Sequence, residues 1–548
     1  MLLFQDILEL ITSEARKHIE TVNEKDVIFD PTEHAHITIR LIRYQKENNF
    51  KPKMEAIKED VEKMPFVKSI KFESGYLNIN LDSSYLYRAI SESIETTGTF
   101  PDSFQDPERV SVEHTSTNPT GPIHMGRIRN SIIGDSLSRL ISRYGYRVVT
   151  QYYVNDSGKQ MISLYLGYEK FHKGEPMTEE ILLDGYRKIY EYLEKVGSEG
   201  EVENLMELYE KGDGDLISKV REIAQVMLDR IVEDMKALDI HMDEFTWESE
   251  FITTGETKEV VSRLSESLHD ENGAKYIDVP DVRKIFLMRG NGTSLYLTRD
   301  IAYHMYKFSQ YDRCIVVVGE DQKEHGKVMK YIMNDLLEYP NSLEYLFYGM
   351  VGLESGKMST RKGTGVYARD VYKQLVEKAR EEVIKRYKDG EDVDDISRKI
   401  AVSSLRFYML KVSTSKPITF KWEDALDFNG ETAPFIMYSY TRAGSILKKV
   451  TTSGKADFKD MKEEEEALLV EMYKYPYKII EAYRNLKPEV LTNYLLVLSR
   501  KFMRFYENCN IMGEETNISN RRVEIVKMFM KIMKDASYLV GIEHVDRM

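Results

Sequence analysis

The sequence predicts an α/β protein, with a smaller α+β region before the central α/β region and a helical region after it. The run 109–113 is β-rich and leads through a rigid loop into an amphipathic helix with Ile133, Leu137 and Leu140 on one face. The continuous apolar run Cys314–Val318 is typical of a parallel strand covered on both faces. From about residue 385 onward no strand pattern persists. These observations favour a Rossmann-like nucleotide fold followed by a helical bundle.

The composition is that of a globular protein. With 548 residues the chain is long enough for roughly two to four domains, and 42% hydrophobic against 31% charged residues is an ordinary balance. Cys314 and Cys509 are too few for a disulfide framework or a structural zinc site, which indicates a reducing cytosol. Residues 1–11 have the pattern of an amphipathic helix rather than a signal peptide, and no apolar run reaches the roughly 18 residues of a membrane span. We expect a cytoplasmic protein without membrane contact.

The net charge of −14 argues at first against a nucleic-acid partner. Residues 161–250, however, contain 10 Lys/Arg against 23 Asp/Glu, whereas residues 441–548 contain 19 against 16. Local charge governs contact with a phosphate backbone. The mildly basic C-terminal quarter therefore leaves room for a polyanionic partner.

The first 100 residues have the pattern of a small α+β unit. Residues 34–39 could open a helix or form a short strand, whereas Leu77–Leu81 alternates as a strand does. The glycine- and proline-containing stretch 98–103 is a plausible linker.

The central region alternates strand and helix signals. Val148–Val154 is a candidate buried strand, and the acidic segment 161–250 is predicted to be a helical insertion with a break at 211–215. The runs 284–289 and 294–299 are predicted to be strands, with Asp300 then capping a helix. Ligands of open α/β sheets lie beyond the carboxyl ends of the strands. The stretch 319–325, which follows the apolar run, is therefore expected to face the ligand crevice.

The C-terminal region shows an aromatic stripe at helical spacing. Its members are Phe502, Phe505, Tyr506 and Cys509. Such a stripe is more often a packing face of a bundle than a binding platform.

The stretch Asn118–Arg127, here called the first motif, joins the first strand of the central region to its helix. Its two prolines and glycine make a stiff turn, which places His124 and Gly126 at a helix N-terminus. Unpaired backbone N–H groups and the positive end of the helix dipole suit a phosphate there, and Gly126 would admit a base or ribose. Read alone, His124 could equally be a capping residue and Gly126 a packing residue.

The stretch Gly356–Gly365, here called the second motif, is a glycine-bounded basic loop. It carries three cations, Lys357, Arg361 and Lys362, in six residues. Such a loop could be a mobile flap that binds phosphate. The alternative is a run of charged residues that is simply solvated.

The two motifs together resemble the two signatures of class I aminoacyl-tRNA synthetases, in the arginyl-tRNA synthetase version. The run Asn-Pro-Thr-Gly-Pro-Ile-His-Met-Gly-Arg resembles the first signature, and Lys-Met-Ser-Thr-Arg resembles the second, 233 positions later. Two departures are plain. Arg127 stands where the second histidine of the first signature is usual, and Thr360 stands where the second lysine of the other is usual.

The resemblance implies a domain organisation. Residues 1–100 correspond to an additional α+β domain that contacts the tRNA elbow. Residues 101–385 correspond to the class I Rossmann-like catalytic domain, with the acidic helical insertion at about 161–250. Residues 386–548 correspond to an all-α domain for stem contact and anticodon binding, on the strength of the runs 433–443 and 546–548.

Carboxylates at strand ends indicate a cationic substrate from the residues alone. Glu113 ends the first strand, and Asp300 follows Tyr296 by four positions. Carboxylates meet a guanidinium bidentately, whereas a lysine would leave acceptors unpaired in a closed pocket. Each residue also has an alternative, purely structural role, since Asp300 could be only a helix cap and Asn118 only a turn residue.

The resemblance then implies a role for each residue. Arginine would be held by Glu113, Tyr296 and Asp300 at its guanidinium and by Asn118 and Gln322 at its α-amino group. ATP would be bound by His124, Gly126, Gly319, Glu320, Lys357, Met358 and Ser359, and the catalytic groups would be His124, Arg127, Lys357 and Arg361. No residue is assigned to a protein-bound metal.

The resemblance further implies ATP-dependent ligation of L-arginine to tRNA(Arg). The intermediate is an arginyl-adenylate, the aminoacyl group passes to the 2′-hydroxyl of the terminal adenosine, and Mg²⁺ accompanies ATP. A monomer in the cytoplasm is expected.

Three alternatives remain open on sequence alone: a synthetase for another amino acid, a non-catalytic tRNA-binding paralogue in which Arg127 and Thr360 mark decay, and a small-molecule adenylyltransferase. The cysteinyl type is disfavoured by the cysteine count, and the long helical C-terminal third disfavours an adenylyltransferase.

Overall fold

The structure is a computed structural model of the 548-residue chain. It describes residues 4–29, 35–96, 108–282, 284–339, 343–353, 367–386, 392–427, 430–450 and 456–548. The chain folds into two compact units. The terminal unit contains residues 1–102, 428–485 and 490–548, and the central unit contains residues 103–427 and 486–489.

The N-terminal part of the terminal unit is a four-stranded antiparallel sheet with helices, as far as its described residues show. The elements are α1 (Phe4–His18), β1 (Val27–Phe29), β2 (Ile37–Arg40), α2 (Phe50–Glu62), β3 (Val67–Glu73), β4 (Tyr76–Leu81) and α3 (Ser83–Thr96). The strand order is β1-β2-β4-β3. Leu77, Ile79 and Leu81 are fully buried, which confirms the strand predicted from their alternation. Of the ambiguous stretch 34–39, the structure describes residues 35–39, and residues 37–39 belong to strand β2.

The central unit contains the remaining strands. In chain order its elements are β5 (Arg109–Glu113), α4 (Met125–Arg143), β6 (Arg147–Val154), α5 (Gly158–Phe171), α6 (Glu179–Val196), α7 (Gly200–Glu210), α8 (Gly214–Ala237), β7 (Glu244–Trp247), α9 (Glu248–Thr253), α10 (Glu256–Arg263), β8 (His269–Glu271), β9 (Ala274–Asp278), β10 (Lys284–Met288), α11 (Tyr296–Gln310), β11 (Arg313–Gly319), α12 (Lys323–Lys330), β12 (Leu343–Tyr348), β13 (Val351–Leu353), α13 (Ala368–Arg386), α14 (Val393–Leu410), β14 (Ile418–Phe420) and α15 (Trp422–Ala425). A π-helix, Tyr331–Leu336, continues α12.

The principal sheet of the central unit has the strand order β12-β11-β5-β6-β7, and every neighbouring pair is parallel. The chain runs from β5 outward to β6 and β7, then returns to the other side of β5 as β11 and β12. The order therefore reverses between β5 and β11, and a crevice opens at their carboxyl ends. Glu113 and Gly319 are the last residues of these two strands.

The acidic segment is largely helical, as predicted. Helices α5 to α8 share one hydrophobic cluster that includes Leu164, Ile189, Val220 and Ile223. The predicted break falls between α7 and α8, where the Asp213 carboxylate accepts from the backbone N–H of Leu216 at 3.0 Å. The end of the segment is not entirely helical as predicted, because it contains strand β7, which pairs with β6 and belongs to the principal sheet.

The strand predicted at 294–299 is wrong. Helix α11 begins at Tyr296, so Asp300 lies in its second turn and is not its N-cap. Leu297 and Ile301, one turn apart, are buried in the same hydrophobic cluster, and this tertiary packing outweighs the local β-like alternation. As a result Tyr296 and Asp300 lie on one face of a helix. The short strand β14, which pairs with β13, also breaks the helical pattern predicted after residue 385.

The C-terminal residues form helices α16 (Ala433–Lys449), α17 (Glu463–Tyr473), α18 (Tyr475–Asn485), α19 (Glu489–Asn508) and α20 (Thr516–Val540). Phe502, Phe505 and Cys509 are buried, so the aromatic stripe is mainly a packing face, with Tyr506 38% exposed. Glu466 on α17 accepts from Lys68 and Ser83, which joins these helices to the N-terminal sheet and helix α3. Over the described residues, no helix is both long and apolar enough to span a bilayer.

A buried ion pair network ties α17 to α20. The fully buried Glu465 carboxylate accepts from Arg521 at 3.0 Å and from Arg522 at 2.9 Å. Glu465→Gln removes the carboxylate that the two buried guanidinium groups share, and among the described residues only Arg522 keeps another carboxylate in contact, that of Glu514 at 3.1 Å. We therefore expect the free energy of unfolding of the terminal unit to fall by about 3–5 kcal/mol. Calorimetry checks this against Glu463→Gln at an exposed site of the same helix. Equal unfolding temperatures for the two variants would contradict it.

Candidate active site

The loop after β5 is fixed by side chains of α4. Thr115 adopts a left-handed backbone conformation with φ of 69°. Its N–H donates to Asn130 Oδ1 and its hydroxyl donates to Ser131 Oγ at 2.8 Å. Asn130 also donates to the carbonyl oxygen of Val317 at 2.6 Å. Backbone strain of this kind persists only where the surroundings enforce it. The helix of the first motif is thus joined to both strands that border the crevice.

His124 is the N-cap residue of α4, but its side chain does not cap the helix. Its Nδ1 atom is buried and has no hydrogen-bond partner among the described residues. Burial first, and the Arg127 guanidinium second, hold the pKa of the His124 imidazole below its usual value. At neutral pH the ring is therefore uncharged, and a ring N–H is available to a ligand.

A cavity of about 260 Å³ lies in front of His124 and Arg127. Its walls are Ser116, Thr117, Asn118, Thr120, Gly121, Pro122, Ile123, His124, Arg127, Gln160, Leu183, Tyr186 and Tyr367. Leu183 and Tyr186 belong to α6, so the acidic insertion supplies part of the wall. The sequence reasoning gave the insertion no part in the site, and the apolar positions on α6 could not be told from ordinary core.

The second motif lies outside the described residues, so the structure gives no position for Lys357, Met358, Ser359 and Arg361. The residues that follow it are described. The backbone of Tyr367 bridges to that of His124, and the N–H of Ala368 donates to the carbonyl oxygen of Ile123 at 2.9 Å. Tyr367 and Ala368, which follow the second motif in the sequence, therefore lie next to the first motif.

Two predicted nucleotide contacts flank the crevice. Gly126 is buried in the first turn of α4. At Gly319 a Cβ would clash with Asp321 Oδ1 and lie 3.3 Å from Met350 Sδ, so the position accepts only glycine without rearrangement. Glu320 follows, with its Oε1 atom 3.3 Å from Lys323 Nζ.

Glu113 does not stand alone at the end of β5. Its Oε2 atom accepts from Lys307 Nζ at 2.7 Å and its Oε1 atom from Ser116 Oγ at 3.2 Å. Lys307 is fully buried on α11, with Nζ 4.4 Å from the centroid of the Tyr303 ring. The Glu113 carboxylate is thus neutralised within the protein. Sequence reasoning missed Lys307, whose only signal is a lysine on the apolar face of α11, seven residues after Asp300.

Asp300 is also paired. Its Oδ2 atom accepts from His325 Nε2 at 2.6 Å, and its Oδ1 atom lies 3.2 Å from His304 Nδ1. Burial alone would raise the pKa of Asp300, but His304 and His325 hold that pKa well below its usual value. Burial would lower the pKa of His325, and the Asp300 carboxylate instead raises it above its usual value. His325 ends the stretch 319–325 that the sequence predicts to face the crevice, but no pattern in the sequence indicates a role for it.

The carboxylates of Glu113 and Asp300 act on the same side chains. Burial, then Asp300, then Glu113 raise the pKa of the Tyr345 hydroxyl. Tyr296 is 44% exposed, and its ring centroid lies 5.8 Å from that of His325. The structure therefore brings Glu113, Tyr296 and Asp300 into one cluster at the crevice.

The two amides predicted at the α-amino end are accessible. Asn118 is exposed, lines the cavity and donates through Nδ2 to Gln160 Oε1 at 3.0 Å. Gln322 is half-buried in the turn before α12 and donates to Asp321 Oδ2 at 3.2 Å.

Arg129 is a further residue of helix α4, for which the sequence indicated no role. It is fully buried, and its guanidinium donates to five backbone carbonyl oxygens. They belong to Gly349, Met409, Val412, Ser413 and Lys416. Arg129 thus fastens α4 to the turn before β13 and to the segment before β14.

Comparison with known sequences assigns the chain to a family. Residues 89–422 match "tRNA synthetases class I (R), catalytic domain", and residues 436–548 match "DALR anticodon binding domain". An arginine–tRNA ligase of Thermoplasma acidophilum is 43% identical over 553 residues, which cover 100% of both chains. The chain belongs to the arginyl-tRNA synthetase family.

Further members of the family support the assignment. An arginine–tRNA ligase of Archaeoglobus fulgidus is 34% identical over 94% of this chain and 96% of its own. The solved arginyl-tRNA synthetase of Thermus thermophilus superposes with a TM-score of 0.86 over 100% of both chains, at 24% identity, and so shows the shared fold. The predicted fold class, a class I Rossmann-like region with a helical insertion between an α+β and an all-α region, is confirmed.

The Glu113–Lys307 pair can be tested by stability. Lys307→Met leaves a buried carboxylate without its counter-charge, so we expect the central unit to lose about 3–5 kcal/mol of unfolding free energy. The double variant Glu113→Gln/Lys307→Met should recover most of that loss. Thermal unfolding measures both. As control, Lys275→Met removes an exposed lysine 2.8 Å from Asp270 and should cost about 1 kcal/mol or less. A single variant as mild as the control would contradict the pairing.

Proposed function

We propose that this chain catalyses the ATP-dependent ligation of L-arginine to tRNA(Arg) through an arginyl-adenylate. The observation that carries the proposal is the 43% identity to an arginine–tRNA ligase across the whole of both chains. The site is consistent with it, since a nucleotide crevice with a neutral histidine lies beside a cluster of buried carboxylates.

The arginine side chain is proposed to enter beside Asp300, Tyr296 and Glu113. With Glu113 neutralised by Lys307, Asp300 supplies the net negative charge that complements a guanidinium. The planar guanidinium can bond a carboxylate and a phenolic oxygen together, whereas a lysine ammonium would leave one of these acceptors unpaired. Glu113 then affects the net charge of the pocket through its ion pair with Lys307, in addition to any direct contact with the guanidinium.

The α-amino end is proposed to lie between Asn118 and Gln322. Amide oxygens at these two positions can accept from an ammonium group. This places the arginine carboxylate toward the cavity in front of His124.

ATP is proposed to lie with adenine and ribose against Gly126, Gly319 and Glu320. Its phosphates are proposed to lie between His124 with Arg127 on one side and Lys357, Met358, Ser359 and Arg361 on the other. The backbone bonds that join Ile123 and His124 to Ala368 and Tyr367 support this, because Tyr367 and Ala368 follow the second motif closely in the sequence.

Two displacements complete the proposed reaction. The arginine carboxylate oxygen attacks the α-phosphorus, a new O–P bond forms, and the bond to pyrophosphate breaks. The 2′-hydroxyl of the terminal adenosine then attacks the carbonyl carbon, AMP leaves, and the hydroxyl proton is released. The side chains act by positioning and by stabilising the charge that spreads over the phosphate oxygens. His124 donates a hydrogen bond there, and Arg127 contributes a permanent positive charge.

The remaining parts of the proposal concern partners. Residues 1–100 are proposed to contact the tRNA elbow, and residues 386–548 the stem and anticodon, in keeping with the DALR match. The described residues contain no group of three or more His, Cys, Asp or Glu side chains that could hold a metal, so Mg²⁺ is proposed only as the companion of ATP. A monomeric state and a cytoplasmic location also remain proposals, the latter supported by two free, buried cysteines.

ATP–pyrophosphate exchange with each of the twenty amino acids, with and without tRNA, tests the function. We expect exchange with arginine and with none of the other nineteen amino acids. Exchange driven by a different amino acid would assign another synthetase, and tRNA binding without any exchange would assign a non-catalytic paralogue. Adenylyl transfer to a small molecule without dependence on tRNA would identify the protein as a small-molecule adenylyltransferase.

Asp300→Asn tests the arginine site. Loss of a buried charged partner costs about 2–5 kcal/mol, so we expect the KM for arginine to rise roughly 30-fold or more, with little change in the KM for ATP. Asp281→Asn, at an exposed position between β9 and β10, is the matched control. Equal increases in both KM values would indicate general damage to the fold instead.

Arg127→His tests the departure in the first motif. The variant exchanges a permanent cation for a titratable group, so we expect activity to be retained with a changed dependence of kcat on pH. The pH–rate curves of the variant and the unmodified protein, measured side by side, decide the matter. Superimposable curves would contradict a part for Arg127 in charge stabilisation.

A further inference from the structure

The proposed arginine pocket contains more positive charge than the motifs alone reveal. Lys307 neutralises Glu113, and His325 donates to Asp300 at 2.6 Å. The four groups together carry a charge of −1 when the His325 imidazole is neutral and zero when it is protonated. A guanidinium is complemented by the first state and not by the second.

We propose that His325 is a specificity-determining positioning residue whose imidazolium occupies Asp300 until arginine binds, so that arginine entry expels one proton from His325. This inference rests on the proposed function and deepens it. It makes arginine affinity depend on pH through one identified side chain.

The hydrogen bonds around Asp300 single out His325 rather than His304. The His304 Nδ1–H donates to the backbone oxygen of Asp300 at 2.8 Å and also lies 3.2 Å from its Oδ1. The Nε2 atom of His304 lies 3.2 Å from the Tyr345 hydroxyl, which can donate to it. Both ring nitrogens of His304 therefore have a hydrogen-bond partner other than the Asp300 carboxylate. Oδ2 of Asp300, held by His325, is the oxygen that an incoming guanidinium would take.

His325 lies on the open side of Asp300. The His325 side chain is 25% exposed, whereas the Asp300 carboxylate is 8% exposed. The Tyr296 ring beside His325 is itself a proposed contact of the guanidinium. A ligand that reaches Asp300 along Tyr296 therefore meets His325.

Helix α12 cannot withdraw His325 by shifting toward β12. A Cβ placed on Gly326 would lie 2.9 Å from Phe347 Cζ and 3.3 Å from Tyr345 Cγ, so the helix already packs closely on that strand. With the helix packed in this way, the proposal is that the ring gives up its proton when the guanidinium takes its place at Asp300.

The charges around His325 give the sign of the effect. Among the described residues, the carboxylates of Asp300 and Glu113 act on it and raise its pKa, against the lowering by burial. Glu320, in the turn before α12, is paired with Lys323 instead. A raised pKa means that the ion pair is present at low pH and is lost as pH rises through that value. Arginine then competes with a proton only below the His325 pKa, and its apparent affinity increases with pH up to that value.

The dependence of KM for arginine on pH tests the proposal. Exchange is measured from about pH 6 to about pH 9 for the unmodified protein, for His325→Gln, which retains a neutral donor, and for the exposed-site control His269→Gln. We expect KM to fall by up to about tenfold per pH unit, then level off, in the unmodified protein and the control, and to be nearly flat in His325→Gln. Titration of groups on arginine and ATP is common to all three proteins and cancels in the comparison.

Calorimetric titration of arginine in two buffers of different ionisation enthalpy provides a second readout on the unmodified protein. About one proton should be released per arginine bound at the low-pH end, and none at the high-pH end. A His325→Gln profile parallel to that of the unmodified protein, or arginine binding without proton release at any pH, would overturn the proposal. Absence of arginine-dependent exchange at every pH would instead overturn the proposed function.

Discussion

The hydrogen bond from His325 to Asp300, next to the ion pair of Lys307 and Glu113, is the constraint on which the pocket depends. Two carboxylates at the carboxyl ends of a sheet cannot be buried without compensating charge. The protein compensates one with a lysine that is permanently in place and the other with an imidazole that can lose its proton. The cluster is therefore a set of paired charges and not an uncompensated negative cavity.

The sheet order makes this arrangement possible. Because β11 lies beside β5, the segment after β11 that carries His325 reaches the same edge of the sheet as Glu113. Helix α11 precedes β11 and supplies Tyr296, Asp300 and Lys307 from its first, second and fourth turns. Strand β5, far earlier in the chain, and the neighbouring helices α11 and α12 thereby contribute to one cluster.

The sequence predicts this site only in part, and the reasons are physical. Periodicity and motif spacing correctly place Glu113 at the end of a strand and Asn118 in the loop after it, and they single out Asp300 although the strand predicted before it is wrong. They do not show that Lys307 faces Glu113 across 194 positions, since a contact at that separation depends on tertiary packing. The same limit explains the error at 294–299, where burial of Leu297 and Ile301 turns a β-like alternation into the first turns of a helix.

The insertion illustrates a related limit. Its acidic composition indicates a solvated helical segment, and most of α6 to α8 fits that description. Leu183 and Tyr186 nevertheless form part of the wall in front of His124. An apolar position on a helix shows that something covers it, but the sequence does not distinguish a neighbouring helix from a ligand cavity.

Helix α4 is connected to the described residues on both sides of the second motif, although the two motifs are 233 positions apart in the sequence. Before the second motif, the turn at Gly349 is held by Arg129, whose guanidinium donates to its carbonyl oxygen at 2.7 Å. After the second motif, Ala368 donates to Ile123, the residue before His124. The described residues on either side of 354–366 are therefore hydrogen-bonded to helix α4 or to the residue just before its N-cap. The burial of Arg129 among backbone carbonyl groups is part of this connection, which joins α4 to segments that follow it only after a long separation along the chain.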